Sequence, residues 1–317
     1  MNILIVGGAG YIGGAVTDLF LESNHNIKVY DCLLYEESYR KPVEFIYGDM
    51  RNTSLLKSNL EWADGVVWLG ALVGDGACQL NPDVSFDVNS ETVKWLSENF
   101  DGRIVFMSTC SVYGAQHGEL SEDSLTNPLS VYAESKKKAE DYLKDKNSII
   151  FRLGTIFGVS DLYSRIRMDL VVNLLTLKAA TDGKLTVYGG DQFRPLLHVK
   201  DVARAIVENI DTQHTGIYNL HRQNVRIVDL AYQVRNHYPD AEMKISEIPF
   251  QDARNYRVIG EKAKNILNWK SIYSIDDGIS EVKTLIEERR IKDFSNPRYT
   301  NQLFLKQFVP ELSIINQ

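Results

Sequence analysis

Tyr132 and Lys136, a tyrosine and a lysine four positions apart, are the residues of this sequence whose types and spacing point most directly to chemistry. The helical pattern over residues 131–144 places both side chains on one face. A phenol has a pKa of about 10, and a neighbouring ammonium lowers that pKa because it favours the phenolate. The pair is therefore predicted to act as a general base that removes a proton from a hydroxyl group.

A run of hydroxyl-bearing side chains, in STCSVYG at 108–114, adds weight to this pair, which by itself also suits an ordinary exposed helix face. The run directly follows a strand predicted at residues 103–107. Open α/β sheets bind ligands at the carboxyl ends of their strands, so one of these hydroxyls can hydrogen-bond a reacting oxygen there. The alternative is a turn in which the hydroxyls only end the strand.

A glycine-rich turn, GGAGYIG at 7–13, comes directly after the first predicted strand at residues 3–6. Its glycines suit a tight turn, a close approach of the backbone to a pyrophosphate and a helix packed closely on the strand. The helix start offers N–H groups and partial positive charge to phosphates. Asp31 ends the second strand, where a carboxylate accepts both ribose hydroxyls and repels a 2′-phosphate. This combination predicts NAD rather than NADP, although a strand-end aspartate can also be merely solvated; Asp49, after the third strand, is a candidate for contacting adenine.

The elements that must position these residues follow a strand–helix alternation over the first half of the chain. Strands are predicted at residues 3–6, 27–30, 44–47, 65–69, 103–107 and 149–153, and helices at 11–22, 84–98 and 131–144. Such alternation is typical of βαβ units and a parallel sheet. After residue 160 the sequence predicts a helix at 164–178, strands at 184–187 and 196–199, and a helix at 202–209.

The predicted fold class is α/β, a Rossmann-type doubly wound parallel sheet with a smaller mixed α/β substrate-binding region. Residues 1–160 are predicted to form the NAD-binding domain, completed by part of residues 183–210. Residues 161–317 are predicted to form the smaller substrate-binding region, which could close over the carboxyl edge of the sheet.

The net charge and the cysteine content of the chain limit the classes of molecule that it is expected to bind. The formal net charge of the 317 residues is -7, which disfavours nucleic acid and means that a phosphate-bearing ligand must be held by local donors. The three cysteines, Cys32, Cys78 and Cys110, show no metal-binding spacing, so no metal site is predicted and a reducing cytoplasm fits best. Neither a signal peptide nor a membrane-spanning run is expected.

Taken in order, several motifs resemble those of the extended short-chain dehydrogenase/reductase superfamily, in its branch of NAD-dependent nucleotide-sugar epimerases and dehydratases. The matching pieces cover about two thirds of the chain. They are GGAGYIG at 7–13, Asp31, STCSVYG at 108–114, YAESK at 132–136, FRLGTIFG at 151–158 and RPLLHVKDVA at 194–203.

The resemblance implies roles for individual residues. Thr109 matches the residue that bonds the reacting oxygen, Tyr132 the catalytic base and Lys136 its partner, which also holds the nicotinamide ribose. The expected cofactor-binding set is Gly7, Gly10, Tyr11, Ile12, Gly13, Asp31, Asp49, Met50 and Lys136. The expected substrate-binding set is Ser111, Arg165, Arg167, Asn173, Arg194 and Arg254.

Each arginine of the substrate-binding set also has an alternative explanation that involves no substrate. Arg194 and Arg254 match arginines directed at a nucleotide diphosphate, yet surface or interface ion pairs would also explain them. Arg165 and Arg167 lie in SRIRMDLVVN at 164–173, which resembles a subgroup linked to surface-polysaccharide sugars, including dehydrogenases of GDP-heptose. For these two, a solvated helix start is the alternative.

The chain departs from the family pattern at three places. Cys110 and Ser111 stand where dehydratases carry an Asp-Glu pair, which disfavours dehydration because elimination of water needs a further acid and base. WLGA at 68–71 replaces a usual His-x-Ala-Ala and changes a wall of the cofactor site. Thr155 replaces a common asparagine and leaves the substrate contacts there open.

The predicted function is that of an NAD-dependent nucleotide-sugar epimerase acting through a 4-keto intermediate, in surface-polysaccharide sugar biosynthesis. An NAD-dependent 4-dehydrogenase or ketoreductase, for example on GDP-heptose, is the alternative, and a non-catalytic dinucleotide sensor is a third reading that the retained catalytic residues oppose. The expected partner is a nucleotide-diphosphate sugar. A cytoplasmic homodimer is expected, formed through segments 84–99 and 131–146, and the aromatic tail at 299–308 is expected either to cap the site or to pad an interface.

Overall fold

The computed structural model describes residues 1–246 and 255–308. The strands in these residues are β1 Asn2–Val6, β2 Asn26–Asp31, β3 Glu44–Tyr47, β4 Gly65–Trp68, β5 Arg103–Thr109, β6 Ala115–Leu120, β7 Ser148–Leu153, β8 Thr155–Phe157, β9 Lys184–Tyr188, β10 Phe193–His198, β11 Gly216–Leu220, β12 Gln223–Arg226, β13 Glu242–Ser246 and β14 Asn255–Val258.

The helices connect these strands and cover the sheet. They are α1 Tyr11–Leu21, α2 Thr53–Leu60, α3 Asp75–Cys78, α4 Pro82–Phe86, α5 Thr92–Asn99, α6 Val131–Leu143, α7 Val171–Asp182, α8 Val199–Val207, α9 Ile227–His237, α10 Glu261–Leu267, α11 Ile275–Glu287 and α12 Asn301–Leu305. A π-helical segment, Asp87–Glu91, joins α4 to α5, so the predicted helix at 84–98 forms with one wide turn in it. No helix within residues 1–246 and 255–308 has both the length and the apolar character needed to cross a bilayer.

A seven-stranded sheet in the order β11-β7-β5-β4-β1-β2-β3 forms the centre of the fold. Every neighbouring pair in it is parallel, with Ile5 opposite Val29 on one side and Val67 on the other. The strand order reverses between β1 and β4, which is where such sheets bind ligands. The predicted fold class is therefore confirmed.

Both faces of this sheet are buried, as its apolar strand sequences require. Successive residues of β1 point to opposite faces: Ile3 and Ile5 pack with α1 and α8, whereas Leu4 and Val6 pack with α2, α5 and α6. At about 25 cal/mol per Å² of apolar surface removed from water, these two layers are the main stabilisation of the fold. They also fix the strand ends that carry the predicted site residues.

One strand of the sheet lies outside the range predicted for it. The edge strand β11 follows residue 210 and pairs in parallel with β7, from Gly216 opposite Ile149 to Leu220 opposite Leu153. Within residues 183–210, helix α8 packs on α1, but β9 and β10 join smaller sheets, of order β13-β9 and β12-β10-β8. The prediction omitted β11 because a short edge strand far along the chain has no local signal of its sheet.

The helix predicted at 164–178 is wrong in its first seven residues, since α7 begins at Val171. The backbone before α7 is held by tertiary contacts instead of helical ones. The Met168 N–H donates to the carbonyl of Tyr299 (2.9 Å), and Leu170 is extended, with ψ of 135°. This irregular stretch carries Arg165 and Arg167.

Candidate active site

A cavity of about 1160 Å³ opens at the carboxyl ends of the parallel strands. Residues at the ends of β1, β2, β4, β5 and β7 contribute to its wall, as the sheet topology requires. The predicted site residues that line it are Gly7, Gly10, Tyr11, Ile12, Gly13, Asp31, Asp49, Met50, Thr109, Ser111, Tyr132, Lys136, Arg165, Arg167 and Arg194. Residues that are far apart in the sequence thus share one cavity.

The glycine turn is glycine-specific for two separate reasons. Gly7 has a φ of +83°, and a Cβ there would lie 2.4 Å from the backbone nitrogen of Gly70. A Cβ at Gly13 would lie 2.3 Å from the carbonyl oxygen of Gly8, so a side chain would separate α1 from the turn. The turn therefore presents bare backbone and a helix N-terminus to the cavity, which is the cradle that a pyrophosphate needs.

The wall after β4 explains one departure from the family pattern. Gly70 stands in WLGA, and a Cβ on it would lie 2.0 Å from the Met50 Cε atom. Met50 and Gly70 both line the cavity beside Gly7. Asp49, next to Met50, accepts hydrogen bonds from the Arg51 guanidinium, with 2.7 Å from Nη2 to Oδ2. Its carboxylate is thus largely occupied by Arg51, which leaves fewer hydrogen-bonding positions for the predicted contact with adenine.

Asp31 ties the β2 end to the glycine turn. Its Oδ2 accepts from the Ala9 N–H (2.9 Å) and its Oδ1 from the Leu33 N–H (2.7 Å). Burial raises the pKa of this carboxyl, and the two backbone hydrogen bonds oppose the rise. A carboxylate has about four lone-pair sites, so it can accept further hydrogen bonds from a ribose.

We expect Asp31→Ala to reduce the preference for NAD over NADP by a factor of about 10 to 100. A hydrogen bond to a charged group is worth about 1.5–3 kcal/mol, and the substitution also removes the repulsion of a 2′-phosphate. Competition binding with the two dinucleotides measures the ratio. An unchanged ratio in a variant that melts at the wild-type temperature would contradict the ribose assignment.

Thr109, Tyr132 and Lys136 meet at the ends of β5 and the start of α6. Ser130 caps this helix by accepting the Ala133 N–H (3.2 Å), which fixes Tyr132 in its first turn. Thr109 accepts the Ser111 N–H (3.1 Å), and its side chain also hydrogen-bonds with Tyr132. Lys136 is 3% exposed and donates to the Met107 carbonyl at 2.9 Å.

Burial is the main cause of the pKa shifts of Tyr132 and Lys136. Burial raises the pKa of the Tyr132 phenol, as do Cys78 and Asp75, whereas Arg167 and the Thr109 hydrogen bond lower it. Burial lowers the pKa of Lys136 to about 8, which leaves the ammonium charged at neutral pH. Because the net shift of the Tyr132 pKa is upward, further positive charge near the phenol is needed to make Tyr132 a base at neutral pH.

A buried ion pair, missed by sequence reasoning, holds α6 against the sheet. Glu140 and Arg152 are 1% and 2% exposed, and the Arg152 Nη2 donates to Glu140 Oε2 at 2.7 Å. The Ser108 hydroxyl, next to Thr109, donates to Glu140 Oε1 at 2.5 Å. Glu140 lies one turn beyond Lys136 on α6, so this network joins the helix of Tyr132 and Lys136 to the strand that ends in Thr109.

A second missed residue, Asn89, holds the loop after β4. It lies in the π-helical segment, accepts the Leu72 N–H (2.8 Å) and donates to the Leu72 carbonyl (2.9 Å). Its amide also donates to the Ser135 hydroxyl on α6 at 3.2 Å. The spacing of a regular helix does not predict the direction of such a side chain, because a π turn rotates the side chains that follow it relative to a regular helix.

Four of the six predicted substrate residues line the cavity. Ser111 and Arg194 are 5% exposed and line the cavity; the Ser111 hydroxyl is 3.4 Å from that of Tyr256, and Arg194 lies on β10. Arg165 and Arg167 also line it, and Arg167 binds Asp169 through two hydrogen bonds of 2.9 and 3.0 Å. Arg254 lies outside the described residues.

Asn173 is not among the residues that line the cavity, and its predicted contact with substrate stays a prediction. It is 1% exposed, and its amide is bonded on both sides by backbone. Its Oδ1 accepts the Gly158 N–H (2.9 Å), and its Nδ2 donates to the carbonyls of Gly158 (3.1 Å) and Arg167 (2.8 Å). Asn173 therefore positions the loop that carries Arg167. Tyr11 contacts the same loop, since its hydroxyl donates to the Gly158 carbonyl at 2.6 Å.

These features fit a dinucleotide: bare backbone at the glycine turn, an acid at the end of β2 and buried cations along one wall. A parallel sheet with this cradle, together with Thr109, Tyr132 and Lys136 in one cavity, defines the class of short-chain dehydrogenases and reductases. The family described as NAD dependent epimerase/dehydratase matches residues 3–220. The chain belongs to this family, which confirms the predicted family, its enzymatic nature and NAD as its cofactor.

Individual relatives differ in the reaction that their names state. A putative UDP-glucose 4-epimerase of Methanocaldococcus jannaschii is 25% identical over 299 residues, covering 88% of this chain and 96% of the relative. The solved UDP-glucose 4-epimerase of Thermotoga maritima, bound to UDP-glucose, superimposes with a TM-score of 0.81 at 21% identity, over 91% and 99% of the two chains. A dTDP-glucose 4,6-dehydratase of Bacillus anthracis, solved with NAD, superimposes with a TM-score of 0.76 at 24% identity, over 92% and 98%. At these identities, the two structures show a shared fold.

Proposed function

We propose that this protein is an NAD-dependent nucleotide-sugar epimerase that oxidises and then reduces C4 of the sugar ring. The observation that carries the proposal is the meeting of Thr109, Tyr132 and Lys136 in the cavity that also contains the glycine turn and Asp31. Reacting hydroxyl, base and dinucleotide cradle would then share one cavity.

Each residue has a defined task in this reaction. When bound, NAD⁺ would accept the hydride and add the positive charge that is needed to lower the Tyr132 pKa. Tyr132 removes the proton from the C4 hydroxyl, and Thr109 hydrogen-bonds the same oxygen. Lys136 adds positive charge beside the base and would hold the nicotinamide ribose through hydrogen bonds. Once the 4-keto sugar presents its other face, hydride returned to C4 and a proton returned by Tyr132 to the oxygen would give the alcohol with inverted configuration at C4.

Dehydration is disfavoured by the position that follows Thr109. Cys110 is fully buried, its thiol donates to the Arg152 carbonyl (3.2 Å), and burial raises its pKa. It therefore offers no acid or base for removing water from the sugar. Ser111 has a hydroxyl whose pKa is unsuited to either task.

The size and charge of the cavity support a second, phosphate-bearing ligand beside the dinucleotide. Its volume of about 1160 Å³ exceeds the range of about 300–1,000 Å³ that is common for single-ligand sites. Arg194 lines a wall formed with Thr186 to Tyr188 of β9 and Tyr256 of β14, on the smaller region. We assign Arg194 to the diphosphate of the nucleotide sugar, because guanidinium groups bind phosphates bidentately.

A panel of UDP-, dTDP- and GDP-linked hexoses and GDP-heptose tests the proposal. We expect one of them to give a C4 epimer by NMR, with a transient rise in absorbance near 340 nm from the protein-bound nucleotide. Stoichiometric release of a 4-keto sugar would instead identify the dehydrogenase that the GDP-heptose resemblance suggests. No absorbance change with any sugar would support the sensor reading and contradict the proposal.

The pathway, the cellular location and the oligomeric state of the protein are proposed from fewer observations. Placement in surface-polysaccharide sugar biosynthesis follows from the resemblance of segment 164–173 alone. A cytoplasmic homodimer follows from the family pattern, and the packing of α5 on α6 brings the two predicted interface segments into one surface.

A further inference from the structure

The segment after β8 crosses the first turn of α1 and is fixed there by several contacts. Ser160 accepts the Ala15 N–H at 2.9 Å, and Lys41 forms an ion pair with Asp161. A Cβ at Gly14 would lie 2.3 Å from the Ser164 Oγ atom, so the segment touches the helix backbone directly. Arg165, the next residue, lines the same cavity as the glycine turn.

The Arg165 guanidinium is buried with few partners. The side chain is 6% exposed and lies over the Tyr35 ring, 3.4 Å from the ring centre. Its Nη2 donates to the Arg298 carbonyl (3.2 Å), while its Nε has no hydrogen-bond acceptor and no carboxylate lies within ion-pair distance in residues 1–246 and 255–308. Burial lowers the pKa of Arg165 to about 10. Asp169 and Glu36 favour its charge from a greater distance, but they are hydrogen-bonded to Arg167 and Arg298. A buried cation without a directly paired anion is costly, so this environment is suited to receive one.

The surroundings of Arg165 indicate which anion this is. Tyr35 follows Asp31 by four residues in the loop after β2, on the side where the adenosine ribose is expected. Two further buried atoms without hydrogen-bond partners in the described part of the chain belong to this wall, the Tyr35 hydroxyl and the Asn301 Oδ1. Arg194, by contrast, belongs to the wall formed by β9 and β10.

The C-terminal residues complete this wall by bridging three loops. Arg298 donates to Glu36 (2.7 Å), and Asn301 donates through its backbone to Asp169 (2.9 Å) and through its amide to the Val73 carbonyl (2.6 Å). Phe304 packs on Tyr35 with ring centres 4.9 Å apart. The tail thus covers the loops after β2 and β4 and shields Arg165 from solvent.

We propose that Arg165, held between Tyr35 and the C-terminal tail, binds the diphosphate of the dinucleotide, leaving the sugar-nucleotide diphosphate to Arg194. This inference rests on the proposed function only for the identity of the second ligand. It moves Arg165 from the substrate-binding set, where the sequence placed it, to the cofactor-binding set. It also gives the C-terminal tail a role in retaining the cofactor.

Calorimetric titration of nucleotide-free protein tests this assignment without turnover. For Arg165→Met we expect affinity for ADP-ribose to fall by a factor of roughly 10 to 100, as the loss of hydrogen bonds to a charged group predicts, with adenosine binding little changed. For Arg194→Met we expect the opposite pattern: ADP-ribose binds normally, while UDP or GDP, titrated with NAD⁺ saturating, binds more weakly. Unchanged ADP-ribose affinity in Arg165→Met, or a loss confined to UDP and GDP, would overturn the assignment.

Thermal melting separates this role from a purely structural one. Because Arg165 is buried without a carboxylate at ion-pair distance in the described residues, we expect Arg165→Met to melt no lower than wild type when nucleotide-free, and to show a smaller rise in Tm on adding NAD⁺. A structural arginine would give a lower Tm and a normal NAD⁺ response, and that result would overturn the proposal. Arg165→Lys keeps the charge and should lose less affinity; equal losses for lysine and methionine would also count against it. If no nucleotide sugar reacts, the proposed function fails while these binding results still decide the role of Arg165.

Discussion

Tyr132→Phe is expected to reduce kcat by a factor of roughly 10² to 10⁴, which is the usual contribution of a positioned general acid or base. The substitution removes only the hydroxyl that exchanges the proton with the C4 oxygen. The ring stays, so its packing with the Leu72, Ala77 and Leu305 cluster is preserved. Initial rates with the sugar that the NMR panel identifies measure the effect.

Two controls separate lost chemistry from lost structure. Tyr142→Phe removes a hydroxyl from the same helix, ten residues away and outside the cavity, and should retain wild-type kcat. Tyr132→Phe should also show a wild-type rise in Tm on adding NAD⁺. A Tyr132→Phe enzyme with undiminished turnover would rule out Tyr132 as the base.

Glu140→Ala is expected to lower the free energy of unfolding by about 3–5 kcal/mol, the cost of removing one partner from a buried ion pair. The Arg152 guanidinium would stay buried, and its remaining partners include only neutral groups such as the Tyr113 hydroxyl at 2.9 Å. We also expect lower kcat, because the Ser108–Glu140 contact sets α6 against the end of β5. Urea denaturation measures the stability change.

An exposed pair between α6 and the π-helical segment provides the matched control. Lys138 and Glu91 lie 2.6 Å apart with side chains 46% and 42% exposed, so Glu91→Ala should cost no more than about 1 kcal/mol. Replacing Glu140 and Arg152 together by leucine and methionine should recover part of the loss, since no charge is then left unpaired. Equal, small effects of Glu140→Ala and Glu91→Ala would show that the buried pair does not stabilise the fold.

The features predictable from sequence were those written in local patterns. The glycine turn, Asp31 and the Tyr132–Lys136 spacing each follow from a strand or helix and its immediate neighbours. Their meeting in one cavity also follows, because parallel strands bring their carboxyl ends to one edge. The fold class and the NAD cofactor could therefore be stated before any coordinates.

The features that escaped prediction depend on partners distant in sequence. The backbone at 164–170 reads as helix, yet Tyr299 and Asn301 hold it in an irregular form that places Arg165 on the cofactor side. In the sequence, Glu140 resembles the other charged residues of an exposed helix. Its partner Arg152 is the one charged residue of an apolar strand, and the pairing of the two becomes visible only in the structure. Asn173 was predicted to contact substrate because the sequence does not show its hydrogen bonds to the backbone of Gly158 and Arg167, which depend on how a loop folds.

Transfer of deuterium from C4 tests hydride exchange at this site most directly. A reactive nucleotide sugar carrying deuterium at C4 is converted in ordinary water, and the product is analysed by NMR and mass spectrometry. We expect the C4 epimer to retain the deuterium, because the hydride taken from C4 would be held by the bound dinucleotide, where it does not exchange with water, and returned to the same carbon. Deuterium replaced by solvent hydrogen in the epimer would show that C4 is inverted by another route and would contradict the mechanism assigned to Tyr132.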